Sequence, residues 1–140
     1  MTEITSENIN KIITIKGVLR EYNAPQPVYE KIVFTCKSCL SEYTYEQNFL
    51  RQINSQYNKP QVCVDCGGKS FKIDYIECEF TDIQKLIFNV NSQNIAVYLK
   101  NDSCKEYEQG VYDIMGVLRV NTMSNPFYYY LDNVNMIRRM

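Results

Sequence analysis

This chain of 140 residues contains no histidine and no tryptophan. Without histidine it lacks the commonest general base and the usual nitrogen ligand of a catalytic zinc. No nucleophile–base pair can be read from the remaining residues, so the chain is not expected to be an enzyme by itself. It also lacks an excess of either charge. Fifteen Lys and Arg residues face 16 Asp and Glu, for a net charge of -1. No global basic field therefore draws in nucleic acid, although a local basic stripe is compatible with that balance. No apolar run reaches membrane-spanning length, and no membrane partner is expected. The opening Met1-Thr-Glu-Ile-Thr-Ser-Glu has neither a basic start nor an apolar run, and does not read as a signal peptide. There is no internal repeat and no low-complexity tract.

What the chain does have is cysteine in a pattern. Cys36-Lys-Ser-Cys39 is followed, after a long gap, by Cys63-Val-Asp-Cys66-Gly67-Gly68. Each Cys-x-x-Cys pair can present both sulfurs from one tight turn, and two such turns side by side make a tetrahedron of thiolates. Zn2+ suits that cage, because it accepts soft sulfur ligands and imposes no competing geometry. The lengthened gap adds little to the entropy of closing the loop. A redox Cys-x-x-Cys would be single and sit at a helix start in a strand–helix–strand setting. Disulfides would require a secreted context. A catalytic zinc would keep an open position, whereas four sulfurs fill the shell. The expectation is a structural zinc held by Cys36, Cys39, Cys63 and Cys66. Reduced thiolates place the chain in a reducing compartment, cytoplasmic in a prokaryote or nuclear in a eukaryote. The other two cysteines are single: Cys78 reads as a small buried apolar residue, and Cys104, among polar neighbours, as exposed.

The rest of the chain reads as strands. Twelve tyrosines and six phenylalanines favour sheet over helix. Ile13, Ile15 and Gly17 alternate with Ile12, Thr14 and Lys16, with Gly17 suggesting a bulge or bend. Val28–Thr35 is a second strand running into the first knuckle. Leu40–Gln47 and Ser70–Tyr75 flank the metal lobe; 48–57 fits a helical turn or a loop. Cys78–Val90, with a kink at Thr81-Asp82, then Ile95–Lys100, Val111–Val120 and Phe127–Ile137 complete the set, and 101–109 reads as polar with a short helical turn. Roughly five or six short strands with internal glycines describe a small closed barrel, with the OB-fold as leading candidate. The expected class is all-β: an OB-fold barrel over 9–35 and 76–140, with a four-cysteine zinc ribbon inserted over 36–75.

These residues also carry a family resemblance. Ile15-Lys16-Gly17-Val18-Leu19-Arg20, Pro27, and Val33-Phe34-Thr35-Cys36-Lys37-Ser38-Cys39 resemble the start of the N-terminal OB/zinc domain of the minichromosome maintenance (MCM) replicative helicases. Cys63 to Phe71 is similar to that family's second knuckle. Glu79-Phe80-Thr81-Asp82-Ile83-Gln84 is similar to its S-E-F-x-D-x-Q segment, with Cys78 in place of the serine. Gly110 to Arg119 resembles its P-G-D-x-V-x-V-x-G strand, with Gln109 in place of the proline. The likeness runs in order from about residue 11 to 137.

The departures are as informative. No phosphate-cradling Gly-rich loop is present, so the family's ATPase is not expected here. The family's long loop after the D-x-Q strand shrinks to about Asn89–Asn94. Its basic hairpin is replaced by Val120-Asn-Thr-Met-Ser-Asn-Pro126, without lysine or arginine. The trimmed loops favour a stand-alone relative over an excised domain. The resemblance implies single-stranded DNA contact and assembly with copies of itself or with MCM-type helicase subunits. Contact with single strands needs cations along phosphates and aromatic faces for bases. The candidate cations are Lys16, Arg20, Lys31, Lys85 and Arg119. The candidate stacking residues are Tyr22, Tyr29 and Phe127 to Tyr130. The competing expectation is a protein-interaction adaptor with little DNA affinity, favoured by the uncharged hairpin and a pI near 5.5.

Overall fold

A computed structural model of the chain describes residues 4–53 and 56–140. Its strands are β1 (Ile12–Tyr22), β2 (Gln26–Cys36), β3 (Glu42–Glu46), β4 (Phe71–Ile73), β5 (Glu79–Val90), β6 (Gln93–Lys100), β7 (Val111–Asn121) and β8 (Tyr128–Arg139). A short helix, α1 (Phe49–Ile53), follows β3. Among the described residues no helix is long and apolar enough to cross a membrane. The chain forms two compact units. One takes the chain up to Gln26 together with Asp82–Met140; the other is Pro27–Thr81. The division falls at 26/27 and 81/82 rather than at the 35/36 and 75/76 boundaries read from the cysteines. The reason is β2: its residues Lys31–Cys36 pair with β3 on one side and, from Phe34, with β4 on the other.

The first unit is a closed barrel. Its strands neighbour in the order β1-β7-β8-β6-β5, and β5 pairs back onto β1. All neighbours are antiparallel except β6 and β8, which run parallel. Alternation dictates what the barrel encloses: Ile13, Ile15 and Leu19 from β1, Leu86, Phe88 and Val90 from β5, Ile95, Val97 and Leu99 from β6. Tyr112, Ile114, Leu118 and Leu131 complete the core. The expected interior of β1 is thus observed, but the expected role of Gly17 is corrected. Gly17 sits in regular pairing with Tyr112. A Cβ there would lie 2.8 Å from Val90 Cγ2, so the glycine serves close packing. The irregularity on β1 falls between Leu19 and Glu21, leaving Arg20 over.

Two further readings change. The hairpin from β5 to β6 closes through Asn91-Ser92, both with positive φ (51° and 67°), as a tight two-residue connection requires. The segment 101–109 does begin with a 3-10 turn, Asn101–Ser103. It is not simply polar, however. Tyr107 is buried, its ring edge-on to Tyr112 at 6.0 Å and its hydroxyl donating to Ser103 O at 2.8 Å. Burial pushes the Tyr107 phenol up to about 12. Cys104, read as exposed, is half-buried and packs against the core, because the segment folds inward here.

Gln84 holds this segment in place. Its side chain is buried, and it acts as a backbone stand-in. Nε2 donates to Lys105 O at 2.7 Å and to Asn23 O at 3.1 Å, while Oε1 accepts from Lys105 N at 3.0 Å. One amide thereby ties β5 to the segment after β6 and to the loop after β1.

The second unit is built on β2, with β3 and β4 as its partners. Among its described residues, buried apolar side chains other than cysteine are few: Ile32, Val33, Phe34, Leu50 and Pro60. The ambiguous stretch after β3 resolves as α1, started by Asn48, whose Oδ1 accepts from Leu50 N at 2.8 Å. Cys78 is half-buried here, with its thiol donating to Asp74 O at 3.1 Å.

Candidate metal centre and candidate nucleic-acid interface

The four paired cysteines converge. The Sγ atoms of Cys36, Cys39, Cys63 and Cys66 all lie within 4.8 Å of one another. Cys36 and Cys66 are 3.5 Å apart, as are Cys39 and Cys63. A tetrahedron of zinc–sulfur bonds has edges of about 3.8 Å, so the cage fits such an ion. A disulfide would need sulfurs about 2 Å apart, and these thiols are free.

Local backbone chemistry makes the cage. Cys36 ends β2, and the chain reverses at once: Leu40, with φ 67°, donates its N–H to Cys36 O at 2.9 Å. The second knuckle closes with Gly67 N to Cys63 O and Cys63 N to Gly68 O, both 2.8 Å. Gly67 takes φ +75°, which glycine adopts without strain. At Gly68 a Cβ would stand 3.3 Å from Cys66 Sγ and 3.4 Å from Cys36 Sγ, inside the sulfur cage.

Electrostatics favour thiolates at two of the positions. Backbone amides of Cys39 and Ser38 lower the Cys36 thiol below its ordinary value. The Tyr43 hydroxyl, 3.2 Å from Cys63 Sγ, lowers that thiol to about 6. The same contact pushes the Tyr43 phenol up to about 12. Val64 N donates to the phenol oxygen at 3.1 Å, which leaves the hydroxyl hydrogen for the sulfur. Ser41 Oγ lies 3.1 Å from Cys39 Sγ and donates to Asp65 Oδ2 at 2.5 Å. Tyr43, Ser41 and Asp65 were not singled out as site residues in the sequence. No local sequence signal marks them; the register of β2 on β3 returns Tyr43 beside the knuckle through its pairing with Phe34.

The candidate cations do not converge in the same way. Lys16 is exposed on β1, but its register partner on β7 is Asp113, which also takes Arg138 at 3.4 Å. Arg119 lies on β7 beyond the start of β1, its Nη1 donating to Asn10 Oδ1 at 2.6 Å. About six residues of strand, or ~20 Å, separate it from the Lys16 level. Arg20, exposed, and Lys85, half-buried, lie on the neighbouring strands β1 and β5 near one end of the barrel. Lys31 belongs to the other unit and pairs with Glu79 at 3.7 Å. Of the candidate stacking residues, Tyr22, Phe127 and Tyr128 are exposed, and Tyr29 and Tyr129 are half-buried. Tyr130 is buried, edge-on to Tyr98 at 5.6 Å.

The model of the MCM OB domain family matches residues 1–122. The chain belongs to the MCM OB-domain family. No curated protein matches it by sequence. Among solved structures, it is similar to the 1.8 Å crystal structure of the N-terminal domain of an archaeal MCM, at 25% identity and a TM-score of 0.76. That likeness covers 98% of this chain and 59% of the archaeal one, so the MCM OB domain described here spans well under two thirds of its structural relative. Within the family, the barrel closed by β1, β5, β6, β7 and β8 is the OB-fold, and the Cys36–Cys66 cluster is carried on the end of β2 and on two turns. The matched domain is not the family's ATPase module.

Proposed function

We propose that this MCM OB domain is a DNA-replication module without an ATPase of its own, which binds single-stranded DNA and assembles with copies of itself or with MCM-type helicase subunits. The observation that carries this reading is the family match over residues 1–122. We further propose that the four-cysteine cage holds Zn2+ as a structural ion, with Cys36, Cys39, Cys63 and Cys66 as ligands and Tyr43 supporting Cys63. Bound there, the ion cross-links β2 to the second knuckle and supplies no reactive position.

Tyr43→Phe tests the support. The phenol hydrogen bond favours the thiolate of Cys63, so its loss lets protons compete harder for that sulfur. The expected result is metal affinity lowered by about tenfold or more. Because Cys63 is held low, its thiolate is present above about pH 6 and lost as pH falls through it. In the variant, metal release moves to higher pH. Absorption of the cobalt-substituted protein, titrated with acid, reads both effects.

The DNA half is tested by salt. Each phosphate neutralised on a single strand contributes about -0.7 to the slope of log affinity against log salt. Arg20 and Lys85, on neighbouring strands of the barrel, support a shallow slope of about -1.4 for an oligo(dT) probe if both meet phosphates. The second reading, a protein-interaction adaptor, is favoured by the ion pair of Lys31 with Glu79 and by Asp113 standing opposite Lys16 in the sheet. It expects no measurable oligonucleotide complex at any salt concentration.

A further inference from the structure

The Pro27–Thr81 unit presents a second surface, unrelated to the sulfur cage. Tyr29 lies at its centre. The Tyr29 ring stacks at a tilt on Phe80, centroids 5.0 Å apart, and meets Tyr57 edge-on at 6.0 Å. Burial pushes the Tyr29 phenol up, and the nearby Tyr75 hydroxyl adds to that shift. These rings are contiguous, yet they are not a core. Phe80 is 52% exposed, Tyr75 65% and Tyr57 43%, and Ile76, next in the chain, is 92% exposed. Four large apolar side chains gathered at one surface are unusual for a unit that buries only a few of its own.

The segment that carries Tyr75, Ile76 and Phe80 is acidic. From Ile73 to Gln84 the chain carries Asp74, Glu77, Glu79 and Asp82 and no lysine or arginine. Glu77 and Glu79 are exposed on either side of Cys78, interleaved with Ile76 and Phe80. Lys31 is 3.7 Å from Glu79, and Arg51 donates to Asn58 beside Tyr57, whereas Glu77 has no ion pair among the described residues. Aromatic faces alone would suit nucleobases, but carboxylates among them repel phosphates. The same argument disfavours a second copy of the patch, since isologous pairing would set carboxylate against carboxylate.

We propose that the patch of Tyr29, Tyr57, Tyr75, Ile76 and Phe80 docks a cationic segment of another protein, in which lysine or arginine flanks an aliphatic or aromatic anchor. The anchor covers the rings around Tyr29, and the flanking cations meet Glu77 and Glu79. Desolvated aromatic contacts supply affinity, and the rim charges supply partner choice and rate of encounter. This rests on the protein-contact part of the proposed function and gives it a surface.

The test is selection of a random peptide library displayed on phage against the zinc-loaded full chain, with counter-selection on the Tyr75→Ser/Ile76→Ser variant. Both substituted side chains are well exposed, so the variant retains the fold; zinc content and circular dichroism verify this. Selected peptides are expected to be net positive with an apolar anchor. They should bind the variant at least tenfold more weakly and lose affinity to Glu77→Lys. No enrichment over the variant, or enrichment of neutral or acidic peptides, overturns the proposal. So does an oligo(dT) affinity that falls in the Tyr75→Ser/Ile76→Ser variant. Sedimentation of both proteins separates the levels. Self-association unchanged in the variant, with no peptides selected, discards this surface while the assembly reading stands. Self-association lost in the variant replaces the foreign partner with a second copy.

Discussion

Cys63→Ser is expected to strip the metal and unfold the chain from Cys36 to Ile73, while the barrel stays folded. The reason lies in how little else holds that stretch. Apart from its cysteines, the Pro27–Thr81 unit buries only Ile32, Val33, Phe34, Thr35, Leu50, Pro60 and Thr81 among its described residues, and β4 has only three residues, Phe71–Ile73. A core of that size does not offset the entropy of ordering the unit. Binding of a structural zinc contributes about 10–16 kcal/mol to comparable small lobes, and it does so only with the ligand set complete. Serine keeps the shape of cysteine but offers no thiolate, and it forfeits the Tyr43 contact as well. Hydrogen exchange on the zinc-loaded and variant proteins reads the result residue by residue. Protection of Ile15, Phe88 and Val97 should persist; that of Phe34, Tyr43 and Phe71 should fall to the level of free chain. Elemental analysis should give one zinc per chain in the parent and none in the variant. A metal-free parent with the lobe fully protected would end the metal assignment.

The second large effect concerns the barrel and involves no metal. Gln84→Leu is expected to lower stability by about 3 kcal/mol, since the buried Gln84 amide makes three hydrogen bonds to backbone, each worth about 1 kcal/mol, and leucine makes none of them. Leucine preserves most of the volume, so the loss is polar rather than a cavity. For a chain of this size such a change lowers Tm by on the order of 10 °C. Asn89→Ala is the control. Asn89 is half-buried further along the same strand, and its Nδ2 meets Asn94 Oδ1 at 3.2 Å. Its substitution should shift stability by less than about 0.5 kcal/mol. Urea denaturation of both variants, followed by tyrosine fluorescence, measures the difference. Equal midpoints would show that water replaces the Gln84 amide and that the segment after β6 is held by Tyr107 alone.

The residues involved in these two experiments differ in how visible they were beforehand. Cys36, Cys39, Cys63 and Cys66 advertise themselves, because each pair is local and the two-residue spacing dictates where the sulfurs point. The strand interior of Ile13 and Ile15 is equally legible, since a strand alternates its faces every residue, whereas Leu86, Phe88 and Val90 sit in a near-continuous apolar run whose inner face the fold picks out. Gln84 was visible as part of a family-like segment, yet nothing near it in sequence reveals that its partners are Asn23 and Lys105. Tyr107 sits in a run that reads as solvent-exposed, and only its contact with Tyr112 shows otherwise. The cations were legible as residues but not as a site. Whether Lys16 is available depends on Asp113, which register alone brings opposite it.

By itself, then, the order of amino acids determined an all-β chain with a sulfur cage, and it excluded histidine-based chemistry outright. Local periodicity and short spacings suffice for that, since they act within a few residues. The tertiary structure alone decided that Tyr43 supports Cys63, that Gln84 braces the barrel, and that Tyr29, Tyr57 and Phe80 meet. Each of those facts joins residues about 20 or more positions apart, and only the pairing of strands brings such residues within reach of one another.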